Sequence, residues 1–319
     1  MKIDSSLFLP TSISSETLQF NAELESQMDA MPDMWSHPID VVRKARAEGN
    51  GTFPLEKPDE SAEWLEASFD GQSVRCRLFR HKEKSSRGTY FHIHGGGWTV
   101  GSATAHDERL REISDRCGLH VLSVEYRLAP ENPYPDGPDD CLTAARWLFE
   151  EDHDLPTDFI AIGGESAGAN LSLVTMLRLR DLNRKCPFDA AVLTAGVYDL
   201  GGTASARNWG TRRLVLNSRD MEMFVRSYTQ NGENLRNPDI SPLYADLTGL
   251  PPVFMSVGTE DLLLDDTLQL AALWQTRNGN VTLEVTPGGC HVFQSFRHLQ
   301  IAKDSNAAMD AFLKQAADH

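Results

Sequence analysis

One stretch decides how this chain folds: Phe159-Ile160-Ala161-Ile162-Gly163-Gly164-Glu165-Ser166-Ala167-Gly168-Ala169-Asn170. Its first four residues are apolar and predict a short strand, and a helical run begins at Leu171. A Gly-x-Ser-x-Gly motif between a strand and a helix is typical of a nucleophile elbow, a tight turn that lifts the serine side chain clear of both elements. Small residues at Gly164 and Gly168 let the strand and the helix pass close together. Whether Ser166 is a nucleophile depends on the presence of further catalytic residues elsewhere in the chain.

The stretch belongs to a long alternation of predicted strands and helices. Strands are predicted at 64–69, 74–80, 89–94, 120–126, 159–162, 190–195, 253–257 and 281–285. Helices are predicted at 107–117, 139–150, 171–182, 267–277 and 292–316. The first two strands flank Asp70-Gly71, which predicts a hairpin. Helices between the later strands imply crossovers, and therefore a mostly parallel sheet in an α/β fold.

Two segments interrupt this alternation. Residues 1–55 are acidic, with apolar spacing that predicts short helices at about 15–30 and 38–48. Residues 201–238 are rich in Arg, Asn and Met, with helical spacing around 220–228. We expect the two segments to pack together as a lid over the C-terminal edge of the sheet. The sequence therefore predicts a main α/β domain that comprises residues 56–200 and 239–319. Residues 1–55 and 201–238 are predicted to form a helical cap in two parts.

Composition excludes several classes of function. Hydrophobic residues make up 40% of the chain and aromatic residues 8%, which is enough for a large core. A formal net charge of −16 argues against nucleic-acid or anionic-membrane partners, since both need basic surfaces. The five widely spaced cysteines, without a Cys-x-x-Cys pair, are expected to be free thiols in a reducing compartment. No secretory signal or membrane-length apolar run is visible, so we expect a soluble cytoplasmic protein.

A reactive serine needs a base, an acid that orients the base, and donors for a developing oxyanion. After an elbow of this kind the acid and then the histidine follow along the chain, each in a loop just past a strand. His291 meets this condition for the base, because it follows the predicted strand 281–285 in the loop Gly288-Gly289-Cys290-His291. His298 lies in the last predicted helix and is interpreted as a surface or packing residue.

The acid is expected after the predicted strand 253–257. Asp261 falls where the following loop leaves the sheet, and Glu260 beside it is the alternative. Asp265 and Asp266 are interpreted as first-turn residues of the next helix, where the helix dipole favours carboxylates.

The oxyanion donors are expected in His94-Gly95-Gly96-Gly97-Trp98, directly after a predicted strand. Consecutive glycines let backbone N–H groups point into a site without obstruction by a Cβ atom. We predict that the N–H groups of Gly96, Gly97 and Ala167 bind the oxyanion, and that His94 holds the loop. Trp98 either lines an acyl pocket or covers the core.

With these residues in place, the chain resembles the hormone-sensitive-lipase-like carboxylesterases of the α/β-hydrolase fold. The resemblance covers about residue 64 to the end and includes Tyr126-Arg127-Leu128-Ala129-Pro130-Glu131, Ser241-Pro242-Leu243, and His291-x-Phe293. It implies an eight-stranded sheet, a helical cap, often a homodimer, and hydrolysis of short- to medium-chain acyl esters without metal or cofactor. It also implies that Ser166 is the nucleophile, Asp261 the acid and His291 the base.

The chain departs from the family pattern at three places. Glu165 stands where Asp is more usual, Val292 follows the histidine where Gly is common, and Gly196-Val197-Tyr198-Asp199-Leu200 replaces a Ser-Pro pair. Together with Trp98 from the glycine loop, Tyr198 and Val292 at these departures are therefore the candidate pocket residues.

The predicted function is that of a serine carboxylesterase that forms an acyl-enzyme and acts on a small-molecule ester. Because the base must be neutral, its activity is expected to fall as the pH drops through roughly 6.5, the ordinary pKa of histidine. An amidase, deacetylase or lactonase would use the same residues, and a non-catalytic small-molecule receptor on this fold is the remaining alternative.

Overall fold

The computed structural model describes residues 3–83 and 86–318. Met1 and Lys2, which begin the predicted 1–55 segment, lie outside the described residues. Eight strands form one sheet with the order β1-β2-β4-β3-β5-β6-β7-β8. The strands are β1 Glu63–Phe69, β2 Gln72–Phe79, β3 Thr89–Ile93, β4 His120–Val124, β5 Ile160–Glu165, β6 Ala190–Thr194, β7 Val253–Gly258 and β8 Val281–Thr286. Only β2 runs antiparallel to its neighbours β1 and β4, so the prediction of a mostly parallel, eight-stranded α/β sheet is confirmed.

Helices cover both faces of this sheet. The helices of the described residues are α1 Ser15–Ala30, α2 Ile39–Ala47, α3 Asp107–Cys117, α4 Asp136–Glu150, α5 Ala167–Asn183, α6 Ala204–Asn208, α7 Ser218–Tyr228, α8 Leu264–Asn278 and α9 Gln300–Ala317. Of these, α3, α4, α5, α8 and α9 pack against the strands. Apolar residues of α3 and α9 share a core cluster with Tyr90 and Ala161. Those of α4, α5 and α8 share a second cluster with Phe91 and Ile162. Neighbouring residues of one strand thus enter opposite layers, which explains why these strands are apolar throughout.

Some element boundaries differ from the sequence-based expectation. The helix predicted at 292–316 begins only at Gln300. Val292 has left-handed backbone angles (φ 51°, ψ 42°) and a short 3-10 turn follows at Phe293–Ser295, so the chain bends before the helix can start. At the elbow, β5 continues to Glu165 and α5 begins at Ala167 rather than at Leu171. The turn is therefore one residue long and centres on Ser166.

The two segments that interrupt the alternation contact each other. The indole N–H of Trp35 donates to Asp220 over 2.8 Å, and the Trp35 ring packs edge-on against Phe224 with centroids 4.8 Å apart. Arg219 pairs with Asp33 at 2.8 Å. A hydrogen bond, an aromatic contact and an ion pair therefore connect residues before position 55 to residues after position 201.

Two further observations concern the described part of the chain. All five cysteines are buried as free thiols. Across residues 3–83 and 86–318, no helix combines the length and the apolar character needed to cross a bilayer.

Candidate active site

Ser166 forms a strained turn between β5 and α5. Its backbone angles are φ 55° and ψ −120°, a region that non-glycine residues rarely occupy and that costs roughly 1–3 kcal/mol. The Ser166 N–H donates to the Thr194 carbonyl over 2.9 Å and holds the turn against β6. A Cβ atom at Gly168 would lie 2.7 Å from the His94 carbonyl, so only glycine lets α5 start this close to β3. The side chain of Ser166 is consequently directed away from both elements, as the motif predicts.

A continuous series of hydrogen bonds joins Ser166, His291 and Asp261. His291 Nε2 lies 3.0 Å from Ser166 Oγ. His291 Nδ1 lies 3.0 Å and 3.1 Å from the two carboxylate oxygens of Asp261. Because an Nδ1–H directed at the carboxylate leaves Nε2 without a proton, Nε2 is oriented to accept the serine proton. Both His291 and Asp261 are almost fully buried.

The loop after β7 distinguishes between the two predicted acids. Asp261 is fixed by a second hydrogen bond, in which its Oδ1 accepts from the Leu263 N–H over 2.9 Å. Glu260 instead pairs with Arg212, and no hydrogen bond joins it to His291 among the described residues. Only Asp261 therefore has the position of the orienting acid.

Backbone N–H groups in the loop after β3 and in the residue after Ser166 lack acceptors among the described residues. Those of Gly96 and Gly97 donate to no protein group among the described residues. Ala167 is the first residue of α5, where an N–H has no acceptor within the helix. Gly96 and Gly97 have φ values of 118° and 59°, and a Cβ at Gly97 would collide with the Phe224 ring. Glycine is thus required at both positions.

The side chain of His94 holds this loop from below. Its Nδ1 lies 2.8 Å from the Gly95 carbonyl, and its ring stacks on Tyr126 with centroids 4.2 Å apart. Burial lowers the pKa of His94 to about 4, despite the hydrogen bond to Gly95 and the charge of Glu165, so the ring is neutral at pH 7. The Tyr126 hydroxyl donates to the His94 carbonyl over 3.0 Å. A neutral, packed imidazole fits a structural role for His94.

Glu165 joins the elbow to the same loop through a buried charged cluster. One carboxylate oxygen accepts from the Gly95 N–H over 2.5 Å and lies 3.2 Å from His106 Nε2. The other lies 3.1 Å from His92 Nε2, and His92 Nδ1 lies 2.9 Å from Ser123 Oγ. Desolvation opposes the charge of Glu165, but its pKa still lies well below the usual range because His106 and His92 favour the carboxylate.

His106 is the counter-ion of this cluster. Desolvation lowers its pKa, but the charge of Glu165 and the hydrogen bond to it outweigh this effect and raise the pKa to about 9. Sequence reasoning missed the contacts of Glu165 with His92 and His106, because these histidines lie far from the elbow along the chain. The only signal in the sequence was the acidic residue directly before Ser166, a position at which the family also has an acidic residue.

A cavity of about 760 Å³ opens above Ser166 and His291. Its floor includes Gly96, Gly97 and Trp98 from the loop after β3. Most of the remaining wall is formed by residues before position 60 and after position 201, which include Met28, Met31, Met34, Arg46, Phe53, Val215, Met221 and Phe224. Two of the three candidate pocket residues contact this cavity. Trp98 is buried and stacks on Tyr228 with ring centroids 4.4 Å apart, and it also lines the cavity. Val292 borders the cavity beside His291.

The third candidate, Tyr198, was predicted wrongly. It is fully buried and does not line the cavity, whereas its neighbour Val197 does. The backbone N–H groups of Tyr198 and Asp199 both donate to Asp266, over 2.7 Å and 2.9 Å. This pair of bonds turns the chain so that the ring packs beside Gly196. Asp266 lies in the first turn of α8 as predicted, and burial raises its pKa to about 7 despite the hydrogen bonds that it accepts.

The chain belongs to the α/β-hydrolase fold family, whose sequence pattern matches residues 90–295. It is 33% identical over 208 residues to an acetyl-hydrolase from Streptomyces hygroscopicus, an alignment that covers 64% of this chain and 68% of that protein. An acetyl esterase from Salmonella paratyphi A is 29% identical over 237 residues, which is 73% of each chain. A crystal structure of a hormone-sensitive lipase from a metagenome library superposes with a TM-score of 0.81 and 27% identity, and covers 94% of this chain and 98% of that one. These similarities confirm the prediction that the chain belongs to the hormone-sensitive-lipase-like group of this family.

Proposed function

We propose that this chain is a carboxylic ester hydrolase in which Ser166 is the nucleophile, His291 the general base and Asp261 the acid that orients it. The observation that carries the proposal is the series of hydrogen bonds from Ser166 Oγ through His291 to Asp261 at the floor of an open cavity. The names of the relatives, acetyl-hydrolase, acetyl esterase and hormone-sensitive lipase, support the same class of reaction.

The first half of the reaction forms an acyl-enzyme. His291 Nε2 accepts the proton of Ser166 as Oγ attacks the ester carbonyl carbon, and the carboxylate of Asp261 stabilises the imidazolium that results. Collapse of the tetrahedral anion breaks the bond to the alcohol, which leaves with the proton from His291. Water then attacks the acyl-enzyme by the same route and releases the acid and free Ser166.

The developing oxyanion is stabilised by the N–H groups of Gly96, Gly97 and Ala167. The N–H groups of Gly96 and Gly97 have no competing acceptor in the described protein, so they are available when negative charge appears on the substrate oxygen. Removing one such donor typically costs about 10²–10³ in turnover.

The substrate range follows from the cavity. About 760 Å³ accommodates a drug-sized molecule, so short- and medium-chain acyl groups both fit together with their alcohol. We propose that residues 1–55 and 201–238 form one cap that sets this range, because residues of both segments line the cavity and bond to each other through Trp35 and Asp220.

The test is hydrolysis of p-nitrophenyl esters from acetate to laurate, with Ser166→Ala beside the wild type. We expect turnover on short chains that the variant loses by about 10⁴-fold or more, since removal of a serine nucleophile has effects of this size. The longest ester that is still turned over measures the length of the acyl pocket. Absence of turnover on every ester by folded wild-type protein would contradict the proposal, and so would activity that survives in the variant.

A further inference from the structure

One cation that lines the cavity has no partner in the part of the chain that the structure describes. Arg46 lies in the last turn of α2 and is only partly exposed, and its side chain contacts the same cavity as Ser166 and His291. Among the described residues, its guanidinium donates no hydrogen bond to the protein, and no carboxylate oxygen lies within 4 Å of it. The Cβ and Cγ atoms of Arg46 lie beside Gly51.

Two neighbouring cations, Arg43 and His106, differ from Arg46 in this respect, whereas Arg213 in the same wall donates, among the described residues, only to the Met31 carbonyl. Arg43 donates to both carboxylate oxygens of Glu131 and to the Thr99 carbonyl. His106 is paired with Glu165, as described above. The chain contains 46 acidic residues and 30 lysines and arginines, so carboxylates are not scarce. The absence of a carboxylate at Arg46 is therefore a local property of the cavity wall.

Stabilisation of α2 does not account for this position. A cation near a helix C-terminus gains about 0.3–1 kcal/mol from the helix dipole. Lys44 on the same turn makes that interaction with a largely exposed side chain, 77% of which is accessible to solvent. An inward guanidinium gains nothing more from the helix and loses hydration, because burial penalises an unpaired charge and lowers the pKa of Arg46. An unpaired cation in a cavity is the arrangement expected of a group that binds a ligand anion.

We propose that the substrate is an ester that carries a carboxylate, and that Arg46 binds this carboxylate while Ser166 attacks the ester carbonyl. This inference rests on the proposed ester hydrolysis. The planar guanidinium matches a carboxylate with two parallel hydrogen bonds. A singly charged group is favoured over a dianion such as phosphate, because Glu56 and Asp220 also line the cavity and repel a higher negative charge.

The test compares pairs of esters that match in length and differ in charge. Mono-p-nitrophenyl glutarate against p-nitrophenyl pentanoate places the carboxylate on the acyl side, and 3-acetoxypropanoate against propyl acetate places it on the alcohol side. We expect the wild type to prefer the charged ester in one of the two pairs, and that pair locates the carboxylate. In Arg46→Met the ratio of kcat/KM for the charged ester to that for the neutral ester falls by about 10- to 100-fold, the range for hydrogen bonds to charged groups. Arg46→Lys retains part of the preference.

Lys44→Met is the matched control, because it removes a cation from the outer side of the same helical turn. It is expected to leave the ratio unchanged. The inference is overturned if the wild type prefers the neutral ester in both pairs, or if Arg46→Met leaves the ratio as it is in the wild type. Failure to hydrolyse the neutral esters as well would contradict the proposed function instead, so the two failures can be told apart.

Discussion

Two charged groups that line opposite sides of the cavity, Glu165 and Arg46, differ in their partners. On the sheet side, the carboxylate of Glu165 accepts a hydrogen bond from the Gly95 N–H and contacts the ring nitrogens of His92 and His106. Each of its oxygens therefore has a partner within the protein. On the helical side, the guanidinium of Arg46 has none among the described residues. Charges that hold the reacting groups must be paired before substrate arrives, since any movement would misplace the serine and the oxyanion donors. A charge that recognises one substrate is paired only when that substrate is bound.

The largest expected effect comes from the acid on the sheet side. Asp261→Asn is expected to lower kcat by roughly 10³–10⁴-fold, because the amide no longer stabilises the imidazolium or holds His291 in the required tautomer. The matched control is Glu260→Gln, which removes the carboxylate next to Asp261 in the chain. The only ion pair among the described residues that is lost in this variant is the partly exposed one with Arg212. We expect Glu260→Gln to stay within about twofold of the wild type, as exposed pairs contribute little. Equal losses in the two variants, measured on p-nitrophenyl butyrate, would contradict the assignment of Asp261.

A smaller effect is expected from the residue that joins the elbow to the oxyanion loop. Glu165→Gln weakens the bond from the Gly95 N–H and leaves His106 without its counter-ion, so we expect kcat to fall by roughly 10- to 100-fold while KM changes little. Glu165→Asp keeps the charge and is expected to recover most of the loss. Steady-state kinetics on one neutral ester separates the two parameters. A rise in KM at constant kcat would show that Glu165 contacts substrate rather than positions the loop.

The smallest expected effect concerns pH and stability. The pKa of His106 is about 9 in the folded protein, where Glu165, Glu56, His92 and Arg46 surround it, against about 6.5 when unfolded. A raised histidine pKa stabilises the fold fully below pH 6.5, and this contribution is lost as the pH rises through 9. The ion pair therefore contributes on the order of 2 kcal/mol to the free energy of unfolding at pH 7.

Urea unfolding between pH 7 and 9.5 checks this expectation. The wild type should lose stability over this range, and His106→Asn should start lower and change less. His298→Asn alters an exposed histidine in the loop before α9 and serves as the control. Parallel decreases in the wild type and in His106→Asn would show that the loss arises elsewhere.

Sequence reasoning succeeded where short-range patterns carry the information. The alternation of apolar runs and helical spacing predicts the sheet, and the elbow, glycine loop and loop histidine follow from residues adjacent to strands. It placed Tyr198 in the pocket wrongly, because the direction of that ring is set by hydrogen bonds to Asp266, 68 positions further along the chain. It also extended the last helix back to residue 292, because local spacing does not register the left-handed turn at Val292.

The sequence by itself determined the order of strands and helices, the α/β-hydrolase class and the residues at the strand ends that meet at one edge. Parallel strands bring their C-terminal ends to the same side, so the proximity of Ser166, Asp261 and His291 was implicit in their order. Only the tertiary structure decided which charges are paired. The cluster of Glu165 with His92 and His106 depends on distances between residues remote along the chain, which no local pattern encodes. The same holds for Arg46, which has no partner among residues 3–83 and 86–318.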